Sequence, residues 1–447
     1  MARDDARTGR AIRGLLAAVG LVAFGAMAVG AFAFLGTGDA APWRARPTQA
    51  TTTEPVTDAL PAVAPAAGPS RRSTTTSGLA ETTIAVPDRL RRGAFAQRRT
   101  LDAPPGVAVS VFALVDRPRA LTWAPWGEWL VSRPLAGEVV GLRDTDGDGV
   151  ADATRVVLSG LSCPYGTVVR GDDLFVAQAT SIARFAHGGG EGLPAPLASP
   201  VTGLPDSRCG AHHFRPLAID ADGNFFIAFG SSCNVCVEAD PRRGTIWRYA
   251  PDGRGAEFAG GLRNVVDLAF DPVTGLLWAA TNERDNLGDD IPPEPVMPVV
   301  AGADYGWPYC YWSGTGWLAD GRVPTRNASC QGLTEYHGAQ AHSAPLGVGF
   351  LAGTAFPEEM RRSAFAAFHG SWNRSTQTGF KLVRIVLDAA GNPSAVEDFV
   401  TGWNRGTRGP GDAWGRPVDL QEGPDGAIYV SDDVAGAIYR ITWNGTP

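Results

Sequence analysis

A short strand phrase returns six times between residues 118 and 433, and no other feature of the chain restricts its fold as much. The copies read GEWLVSR from Gly127, GDDLFVAQ from Gly171, DGNFFIAFG from Asp222, TGLLWAATN from Thr274, RSAFAAFHGS from Arg362 and DGAIYVSDD from Asp425. Most alternate or run apolar for about four to six residues behind Gly, Asp or Pro, as a strand entered from a tight turn does. The first four copies are spaced by about 45 to 50 residues, the length of one four-stranded propeller blade. A second phrase follows several of them: SIARF at Ser181, TIWRY at Thr245, KLVRI at Lys381 and AIYRI at Ala437, an echo expected of a third strand. The pattern predicts an all-β chain folded as a six-bladed β-propeller. A β-sandwich or two unrelated β-domains would not produce six matched returns. The step after the fourth copy is much longer and holds Arg284 to Pro345, rich in Pro, Gly, Trp and Tyr, which reads as a large insertion on one face of the ring.

The 56 Gly and 34 Pro among 447 residues suit many short strands joined by turns. A net charge of -7 and the lack of a basic stripe with interleaved aromatics argue against a nucleic-acid partner. The first hundred residues differ in character. Arg3, Arg7, Arg10 and Arg13 precede the uncharged stretch Gly14 to Gly36, long enough to cross a bilayer as a helix of about 20 residues. The alternative is a cleaved signal peptide. Residues 1–38 are therefore read as a membrane anchor or signal segment, 39–98 as a disordered Thr/Pro/Ala-rich linker, and 99–447 as the propeller. Either form of the leader places the bulk of the chain in the periplasm or another extracytoplasmic space.

Six cysteines in an exported domain predict disulfides, with connectivity left open. Cys233 and Cys236 form a CxxC, but Val237 stands where haem attachment needs His, and no second CxxC completes a zinc set. A local structural disulfide is the expectation there. Cys163 and Cys209 each sit beside a candidate site segment, so a bridge between them would brace it; Cys310 and Cys330 lie in the insertion.

In a propeller the innermost strand of each blade lines the central channel, so residues at its start converge on one mouth. The segments that precede the six phrases are RPRAL at Arg117, SCPYG at Ser162, HHFRPL at His212, LRNVV at Leu262, HSAPLG at His342 and WGRPV at Trp414. His212, Arg215, Arg263, Asn264, His342 and Arg416 would then face one another. Cations with a few neutral bases suit a multiply charged anion held beside a substrate that must lose a proton. The plainer alternative makes Arg263 and Arg416 structural partners of carboxylates between blades, and Tyr305 and Trp307 support for the insertion.

HHFRPL from His212, GSSCNVC from Gly230, GLRNVVDLAF from Gly261, TNERDNLGDD from Thr281, DYGWPYCYW from Asp304, HSAPLGVGF from His342, HGSWNRS from His369 and WGRPVDL from Trp414 appear in that order. Over roughly Arg99 to Thr442 the chain resembles the soluble quinoprotein sugar dehydrogenases, glucose/sorbosone dehydrogenase-like propellers that use pyrroloquinoline quinone (PQQ). The resemblance implies His212, with His213 as the alternative, for the catalytic base. Arg263 and Asn264 look like the pair that contacts the quinone carbonyl and the substrate oxygen, and Arg416 matches an arginine on a cofactor carboxylate. Trp414 stands where the family has a second arginine, and His369 falls near the family's lysine. Tyr165 joins these as a cofactor contact, and His342 and Arg215 as substrate contacts. A calcium ion on the cofactor is implied in the loop Asn282 to Asp285, with Glu283 and Asp285 as side-chain ligands.

A separate calcium signal is DTDGDGVAD. Asp144, Asp146, Asp148 and Asp152 occupy positions 1, 3, 5 and 9 of a calcium loop, with Gly149 at position 6, although Arg155 replaces the Glu of position 12. A solvated Asp-Gly turn is the alternative. The resulting expectation is a PQQ-dependent oxidoreductase acting on an aldose or sugar aldehyde. Lacking a CxxCH, the chain would pass electrons to an external acceptor, a cytochrome or a membrane quinone. The competing functions are a non-catalytic carbohydrate- or protein-binding propeller and a calcium-dependent propeller lactonase.

Overall fold

The computed structural model describes residues 78–187, 192–206, 209, 212, 214–323, 330–406 and 410–445. The apolar stretch 14–36 and the linker up to residue 77 lie outside the described residues. Among the described residues no helix is long and apolar enough to cross a membrane.

Six four-stranded antiparallel sheets follow one another along the chain. Their inner strands are Leu121–Ala124, Thr167–Arg170, Leu217–Ile219, Asn264–Phe270, Pro345–Phe350 and Pro417–Glu422, which begin blades I to VI. The returning phrase is the second strand of each blade, for example Phe225–Phe229, and the echo is the third. Why these second strands read as apolar runs is visible at Phe225–Phe229, where all five side chains are buried. Successive side chains point to opposite faces of a sheet. Phe225, Ile227 and Phe229 thus pack between blades II and III, whereas Phe226 and Ala228 pack between blades III and IV. Each of the six interfaces between adjacent blades holds one such apolar cluster.

Two features depart from the sequence reading. Blade VI is closed by Val107–Leu114, which pairs with Ala437–Trp443 and joins the two ends of the propeller across more than three hundred residues. The long stretch after blade IV's second strand is only partly an insertion. Glu294–Pro298 and Gly338–Ala339 complete blade IV, and the excursion lies between them, with a hairpin of Cys310–Trp312 and Trp317–Ala319. Tyr305 and Trp312 anchor it in the III/IV cluster.

The linker boundary is also corrected. Ala80–Thr83 pairs with Thr100–Ala103, and Ile84, Leu90 and Phe95 enter the V/VI cluster. Three large apolar side chains within about a dozen residues offer enough burial to order a segment whose composition otherwise suggests a tether.

The inner strands leave edge N–H groups facing the channel, which must find acceptors. Side chains from neighbouring blades supply them. Asp419 accepts from Leu121 N at 2.7 Å, Gln421 from Trp123 N at 3.0 Å and Asp267 from Val348 N at 2.9 Å. These strands line a cavity of about 430 Å³. Toward the strand starts, Tyr165, Val266, Leu346 and Val418, with Phe214 against them, form an apolar cluster drawn from five blades. Burial together with the charge of Asp419 raises Asp267 well above the ordinary carboxylate range.

Candidate active site at the channel mouth

The turns that enter the inner strands, with the loops that leave the antiparallel second strands at the same end of each blade, carry the polar chemistry. His212 stands before blade III's inner strand, and its Nδ1 lies 2.8 Å from Ser231 Oγ. Gly230 lets these groups approach. A Cβ at that position would lie 2.3 Å from the His212 carbonyl and 2.5 Å from Asn264 Oδ1. Cys163 and Cys209 form a disulfide that ties the entrance of blade II to the segment ahead of His212. His213 lies outside the described residues.

Arg263 is buried and held by three oxygens: Nε donates to Asn234 O at 3.0 Å, Nη1 to Glu283 O at 2.6 Å and Nη2 to Asp285 Oδ2 at 2.6 Å. Asn264 Nδ2 donates to Asn282 Oδ1 at 3.4 Å, and Asn282 Nδ2 to Pro345 O at 2.7 Å, which carries the network from blade IV to blade V. His342 is buried with φ +62°, and its Nε2 meets Gly288 O at 2.8 Å.

The opposite side of the mouth is a second network. Asp433 accepts from Arg119 Nη1 at 2.6 Å and meets His369 Nε2 at 2.8 Å. The Arg119 guanidinium lies over Phe214 at 4.7 Å and Tyr165 at 5.8 Å, rings that stack on each other. Burial, with Arg416 and Arg119 nearby, pushes His369 down to about 4 despite Asp433, whose own charge is engaged by both partners and held well below the carboxylate range. His369 is therefore neutral at pH 7. Arg416 donates Nε to His369 O at 2.8 Å and Nη2 to Gly370 O at 2.7 Å, and forms no ion pair among the described residues. Tyr165 is buried, and desolvation pushes its phenol up.

Several expected site residues are placed elsewhere. Arg215 is fully buried, with its guanidinium over Phe229 at 5.0 Å and Nη2 donating to Pro205 O, so it cannot reach a substrate. Trp414 packs against the V/VI cluster beside Phe95 and Trp403, under Arg99, and donates to Gly402 O. The indole, three residues before the strand, follows the apolar side of the turn, while the Arg416 guanidinium turns to the main chain of His369 and Gly370. Glu283 and Asp285 are engaged by protein partners. The Asp285 carboxylate is taken by Arg263, both backbone carbonyls already accept hydrogen bonds, and burial pushes Glu283 up to about 7. Asp144, Asp146 and Asp152 do gather their carboxylate oxygens within 4.8 Å. Asp148 turns away, its Oδ1 accepting from Val150 N and its Oδ2 3.9 Å from Arg89.

Cys233–Cys236 and Cys310–Cys330 are also bridged, so the CxxC is a local disulfide. Between its cysteines Asn234 organises the site. Its carbonyl accepts from Arg263 Nε and Trp307 Nε1, while its side chain brackets the Asp285 backbone, accepting from N at 2.9 Å and donating to O at 3.0 Å. Arg119, Asp433, Ser231 and Asn234 were not among the residues singled out from sequence. Arg119 had a signal: it stands two residues before blade I's inner strand, as Arg215 does before blade III's.

A six-bladed propeller with two polar networks, one around Arg263 and one around Asp433, where the inner strands begin defines the class of scaffold. The chain belongs to the TrAA12-like family, whose profile matches residues 101–444, and this agrees with the resemblance read from the motifs. It is similar to the PQQ domain of pyranose dehydrogenase from Coprinopsis cinerea in holo form (21% identity, 80% of this chain and 99% of that one, TM-score 0.66). It is also similar to a calcium structure of a carbohydrate-active enzyme of family AA12 from Trichoderma reesei (20% identity, 77% and 97%, TM-score 0.64). An uncharacterized protein of Borreliella burgdorferi is 29% identical over 241 residues, 53% of this chain, and the match spans only 62% of that relative.

Proposed function

We propose that this chain is a PQQ-dependent oxidoreductase of an aldose or sugar aldehyde. The observation that carries the proposal is the mouth itself: a histidine bonded through Nδ1 to a hydroxyl, a buried, triply held arginine, and an Arg416 guanidinium without an ion pair among the described residues. The rim fits a flat, multiply charged anion. Among the described residues the Arg416 guanidinium bonds only main-chain carbonyls, and Arg119, though paired with Asp433 through Nη1, has its Nε buried without a partner. Arg416 and Arg119 would hold the carboxylates of such a group, with Asn264 and Arg263 toward its carbonyl edge. When bound, the quinone supplies a two-electron hydride acceptor.

His212 in its neutral form takes the proton of the sugar hydroxyl, a task suited to imidazole because its ordinary pKa is near the working pH. Arg263 stabilises developing negative charge, and its three oxygen partners keep it from having to reorganise. The neutral His369 adds no positive charge to the rim. The calcium expectation rests on the Asp144, Asp146 and Asp152 carboxylates, where its role would be structural. Three disulfides support a location outside the cytoplasm. An external acceptor completes the cycle, since the sequence carries no haem motif.

The test is dye-linked sugar oxidation by the full chain titrated with PQQ and Ca²⁺ over a panel of aldoses and sugar aldehydes. The expected result is quinone-dependent dye reduction that His212→Gln lowers by roughly a hundredfold or more, the scale of a lost general base. Absence of both quinone binding and dye reduction would overturn the proposal, and lactone hydrolysis without an acceptor would replace it.

A further inference from the structure

We infer that Ser231 sets the tautomer of His212, holding the proton on Nδ1 so that Nε2 is the basic nitrogen. This rests on the reading of His212 as the base. A serine hydroxyl has one proton to donate and two lone pairs to accept with. Ser231 Oγ lies 2.7 Å from the carbonyl oxygen of Cys233, which can only accept, so the hydroxyl proton goes there. At the 2.8 Å contact with His212 Nδ1, Ser231 is therefore the acceptor and the imidazole the donor. A neutral imidazole has a single N–H, so with Nδ1 protonated Nε2 carries the lone pair.

The surroundings leave the serine little freedom to reverse this order. Ser231 is 1% exposed, and its backbone N–H donates to Arg263 O at 2.9 Å. The acceptor carbonyl belongs to a loop closed by the Cys233–Cys236 bridge and pinned by Asn234 to Arg263, Trp307 and Asp285. Ser231 thereby links the two groups assigned to the chemistry, His212 through its hydroxyl and Arg263 through its backbone N–H. Ser231 is itself neutral, so this contact orients the ring without bringing a charge to it. Ser231 is a positioning residue, since it acts through His212.

The experiment is ¹⁵N NMR of the full chain labelled at histidine, without cofactor, with the His212 signals assigned among six histidines by His212→Gln. At a pH where His212 is neutral, the expected spectrum has Nδ1 protonated and Nε2 unprotonated, and Ser231→Ala shifts the population toward the Nε2–H form that free imidazole side chains favour. In turnover, Ser231→Ala lowers kcat by roughly tenfold or more with KM within about twofold. Ser231→Asp moves the acid limb of the kcat profile upward by about one pH unit, a displacement that a purely structural serine would not cause. A wild-type His212 in the Nε2–H form, or a tautomer unmoved by Ser231→Ala, would overturn the inference. The expected tautomer in a protein that oxidises no sugar would leave this assignment standing and remove the oxidoreductase reading instead.

Discussion

Arg119→Met is the most exacting test of the charge arrangement at the mouth. In the native protein Asp433 lies between Arg119 Nη1 at 2.6 Å and His369 Nε2 at 2.8 Å, with side chains 11%, 19% and 16% exposed for Arg119, Asp433 and His369. Removing the arginine strands a mostly buried carboxylate, which costs about 3 to 5 kcal/mol when nothing replaces the cation. His369 can replace it. Its depression from 6.5 to about 4 comes first from burial and is deepened by the positive neighbours Arg416 and Arg119, so losing Arg119 moves it upward. In the native protein a depressed histidine contributes stability that is present above 6.5 and lost as pH falls toward 4. At about 1.4 kcal/mol per pH unit this amounts to about 3 kcal/mol.

In the variant the sign reverses once His369 is raised above its unfolded value. Its pairing with Asp433 then stabilises the fold below about pH 6.5 and is lost as pH rises through the new folded value. The assay is urea unfolding of both proteins at pH 8 and pH 5.5, with the midpoint and slope fitted together. The expected deficit of Arg119→Met is about 3 to 5 kcal/mol at pH 8 and smaller by at least about 1.4 kcal/mol at pH 5.5. A deficit equal at the two pH values, or below about 1 kcal/mol at pH 8, would refute the reasoning.

Two further outcomes follow from the geometry. Gly230→Ala places a methyl 2.3 Å from the His212 carbonyl and 2.5 Å from Asn264 Oδ1, so both must shift. We expect kcat/KM to fall about a hundredfold, as for a displacement near 1 Å, and activity within about threefold of wild type would contradict it. Replacing Cys163 and Cys209 together by serine opens a bridge of sequence separation 46, which costs about 4 kcal/mol in the chain-entropy account. Unfolding under non-reducing conditions measures this, and a loss below about 1 kcal/mol would show that the bridge constrains little.

The blades were legible because a strand buried on both faces needs an unbroken apolar run, and six such runs at blade spacing admit few other arrangements. His212, Arg263 and Arg416 were legible for a related reason: each stands in a turn that enters an inner strand, and turn residues converge when strands do. What could not be read was which way each side chain leaves its turn. Arg215 and Arg119 occupy equivalent places before their strands, yet one is sealed against Phe229 and the other faces Asp433 across the mouth. Val107–Leu114 and Ala437–Trp443 are apolar strands in either reading, but their pairing is a contact between chain ends and has no local signature. Ser231 and Asn234 look like any loop residues. Their significance comes from hydrogen bonds to groups from 19 to 73 residues away, and such partners exist only once the ring has closed. The chain's own pattern dictates the strands and the ring they build, because burial acts on every residue of a strand at once. Which polar groups meet at the mouth is decided by tertiary contact, because a hydrogen bond depends on a fraction of an ångström that no periodicity encodes.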